Sequence, residues 1–252
     1  MGTALITGAT AGIGLEFAWQ LAAEGNDLVL VARNEQRLAE VAAKISNYAG
    51  NEVEILPADL ATEDGARAVG ERCADRVRPI GLLVNNAGFG LGQPFASGDL
   101  DRELDGLDVM ARAVLITCHY AAAEFTRRGY GAILNVSSMT ALTAQGTYSA
   151  HKAWVRTFTE ALAASCPTLS ITATCPGLVH TEFHERSEVD AGQWPNWAFI
   201  PVDKVVSRSL DAVRRGRVLV TPSPLYRAAS AALRLAPRSV VRAVAGPGRS
   251  GI

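Results

Sequence analysis

The sequence has no excess of charge of either sign and contains little cysteine. Its 252 residues include 24 Lys and Arg against 25 Asp and Glu, a formal net charge of −1. Without a strong positive field it does not attract a polyanion, so we expect a small-molecule substrate and no nucleic-acid partner. The cysteines form no Cys-x-x-Cys pair, which predicts buried, reduced thiols and no metal site. They are Cys73, Cys118, Cys166 and Cys175.

Long hydrophobic runs are also missing. No window reaches the roughly 18 uninterrupted apolar residues that a spanning helix needs. The residues after Met1 lack the basic, apolar and small-residue regions of a secretion signal, and we therefore expect a cytoplasmic protein. What the chain does have is 48% hydrophobic and 19% charged residues, which is typical of a globular protein. We predict a single domain over residues 1–252.

Short aliphatic or β-branched runs recur along the chain and predict about seven strands. They lie at 3–7, 27–32, 52–57, 80–85, 132–137, 169–175 and 218–221. Stretches with apolar residues at helical spacing separate them, for example 15–24, 35–48 and 154–164. Several runs are apolar throughout instead of alternating, as in parallel strands covered by helices on both faces. The pattern predicts a doubly wound α/β fold.

Two segments depart from this alternation. Residues 180–200 contain Trp194, Trp197 and Phe199 without clear periodicity, which predicts a loop or helical excursion over a substrate site. With Phe89 and Phe95, these aromatics would form an apolar surface for a hydrophobic ketone, aldehyde or acyl-type carbonyl. The alternative is that they belong to the core.

The second segment, residues 222–252, is a basic tail with five arginines and no acidic residue. We expect it to pack on its own domain or on a partner subunit. The alternative is contact with a membrane surface through an apolar stripe flanked by arginines. That stripe would contain Leu225, Ala229, Ala232, Leu233 and Ala236. Because every motif below lies before residue 218, the tail is predicted to be dispensable for cofactor binding.

A glycine-rich turn follows the first strand, with Gly8, Gly12 and Gly14 spaced as G-x3-G-x-G. Missing Cβ atoms let a pyrophosphate approach the amides at a helix N-terminus, although such a turn can also simply make a tight corner. At the end of the second strand, Ala32 and Arg33 stand where an acid would hold a ribose 2′-hydroxyl. A guanidinium there pairs with a 2′-phosphate and favours NADP(H) over NAD(H), unless Arg33 is merely solvated.

Tyr148 and Lys152 are one helical turn apart, which places phenol and ammonium on one face. A nearby cation lowers the pKa of a tyrosine, so that it can exchange a proton with a carbonyl or alcohol oxygen. Ser138 closes the fifth strand, where a hydroxyl points into the crevice in which such folds bind ligands. It could also do no more than complete the strand end.

Together these motifs resemble the short-chain dehydrogenase/reductase family of the one-domain type, over residues 3–221. The resemblance implies a Rossmann-like sheet, hydride transfer between NADP(H) and a carbonyl or alcohol, and a homodimer or homotetramer. It implies a catalytic set of Ser138, Tyr148 and Lys152. The expected cofactor contacts are Gly8, Thr10, Gly12, Ile13, Gly14, Arg33, Asp59, Leu60, Asn86, Ala87, Gly88, Tyr148, Lys152, Pro176, Gly177, Val179 and Thr181.

The chain departs from the family pattern at two places. Met110 stands where the family usually has an Asn that supports the lysine through a water relay, and a thioether accepts hydrogen bonds only weakly. The interval from Ser138 to Tyr148 is a few residues shorter than usual. Both departures motivate an alternative function, a catalytically weak or idle dinucleotide-binding or scaffold protein.

Overall fold

The computed structural model describes residues 2–181 and 194–246. It confirms the doubly wound α/β fold, with one seven-stranded sheet in the order β3-β2-β1-β4-β5-β6-β7 and all strands parallel. The strands are β1 (Thr3–Thr7), β2 (Asp27–Ala32), β3 (Val53–Pro57), β4 (Ile80–Asn85), β5 (Ala132–Val136), β6 (Ser170–Thr174) and β7 (Leu219–Val220).

Helices connect these strands. They are α1 (Gly12–Ala23), α2 (Glu35–Ala49), α3 (Glu63–Cys73), α4 (Leu100–Leu107), α5 (Ala113–Arg128), α6 (Gly146–Ser165), α7 (Val202–Arg214), α8 (Pro224–Leu235) and α9 (Arg238–Val244). Short 3-10 turns occur at Met139–Leu142 and Asn196–Ala198. In the described part of the chain, no helix is both long and apolar enough to cross a bilayer.

The sheet has a hydrophobic core on each face, which explains why several of its strands are apolar throughout. On one face α1, α2 and α7 supply Phe17, Leu38 and Val206 to the core. On the other face α3, α5 and α6 pack against the sheet, with Phe125 and Val155 among the buried residues. Burial on both faces removes the pressure for polar residues at alternate positions.

The strand order reverses between β1 and β4, and this reversal determines where a ligand can bind. The chain runs from β1 outward to β3 on one side, then returns to β4 and continues to β7 on the other. The connections that follow β1 and β4 therefore diverge and leave a crevice at the carboxyl ends of the strands. The predicted motifs follow these strand ends.

Several predicted boundaries differ from the structure. Helix α6 begins at Gly146, so it includes Tyr148 and Lys152 and extends eight residues before the apolar periodic stretch 154–164. Strand β5 ends at Val136, one residue before the predicted end, and the Ser137 hydroxyl donates to the Lys152 carbonyl at 2.7 Å. All four cysteines are free thiols, but Cys166 is half-buried and not fully buried as predicted. Most of the predicted excursion at 180–200 lies outside the described residues.

Candidate active site

A cleft of about 1070 Å³ lies at the carboxyl ends of the strands. Every predicted site residue except Gly14 lines it, including Ser138, Tyr148 and Lys152. Within residues 2–181 and 194–246, no cluster of His, Cys, Asp or Glu could hold a metal ion. The cleft therefore unites residues from the ends of β1, β2, β3, β4, β5 and β6.

The glycines after β1 have separate roles. Gly8 and Gly12 adopt positive φ angles of 66° and 54°, which L side chains rarely adopt. A Cβ on Gly12 would lie 3.2 Å from the Cβ of Thr181, so this glycine lets the two sides of the cleft approach. A Cβ on Gly14 would lie only 2.2 Å from the Gly8 carbonyl oxygen. Gly14 thus permits α1 to pack on the turn, and it is not among the residues that line the cleft.

The N-terminus of α1 fits an anionic group such as a pyrophosphate. Its N-cap residue, Ala11, makes no side-chain capping hydrogen bond, and its first turn contains no acidic residue. By contrast, Asn34 caps α2 and Thr62 caps α3 through side-chain oxygens. The first N–H groups of α1 therefore lack the side-chain cap that α2 and α3 have, and the helix dipole there favours negative charge.

Thr7 ties the glycine turn to the segment after β4. It is buried, and its Oγ1 accepts hydrogen bonds from the N–H groups of Asn86 at 2.9 Å and Ala87 at 3.1 Å. The Asn86 side chain donates in return to the Thr7 carbonyl at 3.0 Å. Thr7 was not among the predicted site residues, although its position directly before Gly8 was a usable signal.

Two arginines line the end of the cleft beside β2. Arg33 was predicted there, and Arg37 lies one helical turn further along. The Arg37 N–H donates to the Asn34 side chain at 2.9 Å in the N-cap of α2. Arg37 was missed, although its i,i+4 spacing from Arg33 could have identified it.

The predicted catalytic side chains meet on one wall of the cleft. Ser138 and Tyr148 form a side-chain hydrogen bond. The Ser138 Oγ also accepts from the Thr140 N–H at 3.1 Å, at the start of the 3-10 turn. This compact turn lies within the interval between the two residues. The interval is shorter than is usual for the family, yet it still brings the two hydroxyls together.

The pKa of Tyr148 differs from the expected direction. Burial raises this pKa above its ordinary value, and the hydrogen bond with Ser138 opposes the rise. The prediction of a phenol pKa lowered by Lys152 is therefore wrong for this structure. The Lys152 Nζ donates to the Val136 carbonyl at 2.9 Å and lies 5.7 Å from the centre of the Tyr148 ring. Burial lowers the pKa of Lys152 itself to about 8.

Met110 lies beside the lysine, as its sequence position indicated. Gly88 faces both groups: a Cβ there would be 3.3 Å from the Lys152 Nζ and 3.3 Å from the Met110 Sδ. Met110 is fully buried and lies in a π-helical turn, Asp108–Arg112, between α4 and α5. Such turns are frequent at functional sites, and this one was not predicted.

Glu103 anchors the start of the catalytic helix and was missed. Its side chain is buried and accepts from the Thr147 hydroxyl at 2.5 Å and from the Gln93 amide at 3.1 Å. Thr147 directly precedes Tyr148. The carboxylate therefore joins α4, the loop after β4 and α6, a set of contacts that sequence spacing does not reveal.

The predicted apolar surface is only partly present. Phe89, Trp194 and Trp197 line the cleft. Phe95 is exposed outside it, and Phe199 is buried with its ring stacked on His180 at 3.7 Å between centroids. For these two residues the predicted role as cleft surface is wrong.

The tail packs on its own domain and closes one side of the cleft. Leu225, Tyr226 and Ala229 of α8 line it. Tyr226 lies against Gly177, where a Cβ would be 2.3 Å from its ring, and its hydroxyl donates to the Ala198 carbonyl at 3.0 Å. These contacts confirm the expectation that the tail packs on its own domain, and its dispensability for cofactor binding stays a prediction.

Comparisons with known proteins agree with this arrangement. A family model described as short chain dehydrogenase matches residues 2–191. An uncharacterized oxidoreductase of Staphylococcus saprophyticus is 32% identical over 183 residues, 71% of this chain and 78% of that protein. A 3beta-hydroxysteroid dehydrogenase of Mediterraneibacter gnavus is 33% identical over 192 residues, 74% of this chain and 69% of that protein.

Among solved structures, a short-chain dehydrogenase from Sphingobium yanoikuyae in complex with NADPH superposes with a TM-score of 0.84 and 30% sequence identity. The match covers 93% of this chain and 92% of that one. Because the family match spans most of the chain and the fold extends over nearly all of it, this protein is a member of the short-chain dehydrogenase/reductase family of oxidoreductases.

Proposed function

We propose that the protein is an NADPH-dependent oxidoreductase that transfers a hydride between nicotinamide and a carbonyl or alcohol carbon of a hydrophobic substrate. One observation carries this proposal: Ser138 and Tyr148 share a hydrogen bond in a cleft that also contains Lys152 and the glycine turn. The uncapped N-terminus of α1 suits the pyrophosphate, and Arg33 and Arg37 suit a 2′-phosphate.

In the proposed reaction, bound NADPH supplies the hydride that reduces the carbonyl carbon. Ser138 donates a hydrogen bond to the substrate oxygen and holds it beside Tyr148. The raised pKa of Tyr148 keeps the phenol protonated at neutral pH, so that it can give its proton to the oxygen as negative charge develops there. Lys152 supplies positive charge close to that proton transfer and holds the ribose.

The substrate is proposed to be a bulky hydrophobic ketone, aldehyde or acyl-type carbonyl compound. Phe89, Trp194 and Trp197 line the cleft, and Leu225 and Ala229 extend the apolar wall from α8. Apolar walls with a few convergent polar groups are typical of sites for such ligands. The likeness to a 3beta-hydroxysteroid dehydrogenase supports the same substrate class.

Arg33 is expected to select NADPH. Arg33→Ala should weaken NADPH binding by about one to two decades, because a charge-assisted pair contributes roughly 1.5–3 kcal/mol. NADH binding should change little, and Ala32→Asp should act in the same direction. Fluorescence titration of both cofactors measures the effect, with Lys44→Ala, at an exposed position of the following helix α2, as the control. Equal dissociation constants for NADPH and NADH in the unmodified protein would contradict this selectivity.

An idle dinucleotide-binding or scaffold protein remains the second candidate, and Met110 beside Lys152 is the observation in its favour. The two functions differ in turnover and not in cofactor binding. Consumption of NADPH in the presence of an activated diketone supports the reductase. NADPH binding without any consumption supports the scaffold.

Met110→Asn tests whether the thioether limits proton delivery. If the usual amide relay is what the site lacks, kcat should rise while NADPH affinity stays constant. Met110→Leu is the control, because it keeps the volume and adds no hydrogen-bonding group. Met110 is fully buried, so an amide without partners would cost about 1–3 kcal/mol of stability. A lower kcat and a lower melting temperature in Met110→Asn but not in Met110→Leu would mean that the native site orders its water without an amide at this position.

We also propose a single-domain, cytoplasmic homo-oligomer, a dimer or tetramer. Leu100, Leu104, Leu107 and Leu115 are exposed near helical spacing along α4 and α5, which suits a subunit interface. Four free thiols suit a reducing compartment. Light scattering of the eluted protein measures the subunit number, and fractionation of cells measures the compartment.

A further inference from the structure

The outward surface of the tail carries apolar side chains that nothing in the described domain covers. Helices α8 and α9 expose Leu225, Leu235, Val240 and Val244. Leu235 is the most open of them, with 88% of its surface exposed. Ala228, Ala231 and Ala232 are also exposed on α8, so the apolar character extends along its outer side. We refer to these seven residues as the outer face of the tail.

The opposite side of the same helices holds them firmly on the domain. Ser230 of α8 and Val241 of α9 are buried. The Arg238 guanidinium donates to the Leu142 carbonyl at 3.1 Å, and the Ala144 N–H donates to the Ala245 carbonyl at 3.1 Å. The outer face is therefore the second apolar side of two anchored helices, and not the result of helices detached from their core.

Arginines border the outer face. Arg227, Arg234, Arg238 and Arg242 are all exposed, and none of them pairs with a carboxylate within residues 2–181 and 194–246. Two arginines at the C-terminal end of α7 behave differently: Arg214 pairs with Glu24, and Arg215, directly after the helix, pairs with Asp211. Among the described residues, the absence of acidic side chains from the tail thus leaves a local positive charge, in a protein whose net charge is −1.

An exposed tryptophan lies next to this surface. Trp197 is 74% exposed, and its neighbour Ala198 accepts the hydrogen bond of Tyr226 from α8. An indole ring has a large apolar body and one polar N–H group, which suits the boundary between water and lipid headgroups. Leucine, valine and tryptophan bordered by arginine are the side chains that an amphipathic helix uses at such a boundary.

We infer that the outer face of the tail docks on an anionic lipid surface, with its leucines and valines among the acyl chains and its arginines on the headgroup phosphates. Uncompensated arginines match a negatively charged surface, whereas a second copy of this chain would oppose them with the same positive charge. The mixture of aliphatic side chains and guanidinium groups suits lipid better than a purely polar polyanion.

Docking would also turn the entrance of the cleft toward the membrane, and this part of the inference rests on the proposed function. Leu225, Tyr226 and Ala229 of α8 line the cleft, so its entrance lies beside the outer face. A bulky apolar carbonyl compound dissolved in the bilayer would reach the site without crossing water. The inference therefore narrows the substrate class to lipid-soluble ketones, aldehydes or acyl compounds.

Sedimentation of the full chain with vesicles tests the docking. The protein should bind vesicles of phosphatidylcholine containing phosphatidylglycerol, bind pure phosphatidylcholine weakly, and dissociate from the former as salt is added. Leu235→Asp should reduce binding by about tenfold or more. Val77→Asp is its matched control, because Val77 is 89% exposed just before β4, at the edge of the sheet opposite the cleft, and the change should leave binding unchanged.

A second pair of variants separates charge from apolar contact. Arg234→Glu should reduce binding, whereas Lys44→Glu changes the net charge equally at an exposed site on α2 and should not. Binding of the unmodified protein that is equal for both vesicle types would overturn the inference. The inference would also be overturned if the unmodified protein bound no vesicles and Leu235→Asp had a lower mass in light scattering. Those two results would identify the outer face of the tail as a subunit interface.

Sedimentation needs no turnover, so its outcome is independent of the proposed reaction. A kinetic measurement then tests the link between the two. Leu235→Asp should reduce a water-soluble ketone at the unmodified rate but a vesicle-borne ketone several-fold more slowly. An equal loss on both substrates would contradict delivery from the membrane, while an absence of NADPH consumption with vesicle binding retained would contradict only the reductase function.

Discussion

Tyr148→Phe should lower kcat by about 10²- to 10⁴-fold, the range that a general acid contributes. The phenol is the proposed proton donor, it lies in the cleft, and its side chain hydrogen-bonds with Ser138. Phenylalanine keeps the ring and therefore the packing, so NADPH affinity and melting temperature should stay close to those of the unmodified protein. Stopped-flow measurement of NADPH oxidation gives kcat, and fluorescence titration gives the dissociation constant.

Tyr226→Phe provides the matched control, because it removes the same hydroxyl from another tyrosine in the same cleft. The Tyr226 hydroxyl donates to the Ala198 carbonyl and not to Ser138, so its loss should change kcat far less. A Tyr148→Phe enzyme that reduces its substrate at the parental rate would overturn the mechanism. Similar losses in both variants would mean that the cleft needs both hydroxyls for its shape and that neither is identified as the acid.

The fold could be predicted because its signals are local. Each strand is a short apolar run, and burial on both faces of the sheet makes such runs stand out from the helices between them. Most of the site followed for a related reason: parallel strands end at one edge, so residues after β1, β4, β5 and β6 must meet there. Gly8, Asn86, Ser138 and Pro176 all line the cleft as the sequence indicated.

The features that the sequence did not reveal depend on contacts between distant segments. Glu103 reaches Thr147 and Gln93, although neither partner lies near it in the sequence. Gly14 has the spacing of a cofactor-binding glycine, yet what requires a glycine there is the Gly8 carbonyl, which a Cβ would meet at 2.2 Å. The π-helical turn around Met110 has no composition signal of its own. These positions are decided by packing, which spacing rules do not describe.

The direction of the Tyr148 pKa shift also depends on packing, and spacing alone did not predict it. A tyrosine and a lysine one turn apart suggest a phenol whose pKa is lowered by the cation, but burial acts on both groups and destabilises both charged forms. In this structure burial raises the pKa of Tyr148 and lowers that of Lys152 to about 8. The lysine, and not the tyrosine, therefore titrates nearest to neutral pH.

Because the pKa of Lys152 lies below that of Tyr148, Lys152 is predicted to limit the reaction at alkaline pH. The kcat/KM for carbonyl reduction should fall above about pH 8, where Lys152 loses its proton, while Tyr148 is still protonated. Lys152→Arg keeps its charge at every accessible pH, so its alkaline limb should move upward even if its maximal rate is lower. If the alkaline limb stays near pH 8 in Lys152→Arg, a group other than Lys152 causes the fall in kcat/KM.

Removing the positive charge of Lys152 should lower the rate more than Lys152→Arg does. Lys152→Ala should lower kcat/KM by about 10²-fold or more, because the proton transfer from Tyr148 and the position of the ribose both lose the ammonium. NADPH affinity should fall as well, which distinguishes this variant from Tyr148→Phe. Any surviving activity should show an alkaline limb at higher pH, since only Tyr148 would then titrate.

The lysine also links stability to pH, and the sign follows from its pKa. Burial lowers that pKa from 10.5 to about 8, so the folded protein bears the cost of a buried ammonium below pH 8. The cost is relieved as pH rises from about 8 to 10.5, because there the unfolded chain binds the proton and the folded chain does not. Lys152→Met should therefore exceed the unmodified protein in stability below pH 8, and the difference should shrink toward pH 10.5. Urea denaturation across this range, with Lys44→Met as the exposed control, measures the difference, and a pH-independent value would show that Lys152 does not titrate inside the folded protein.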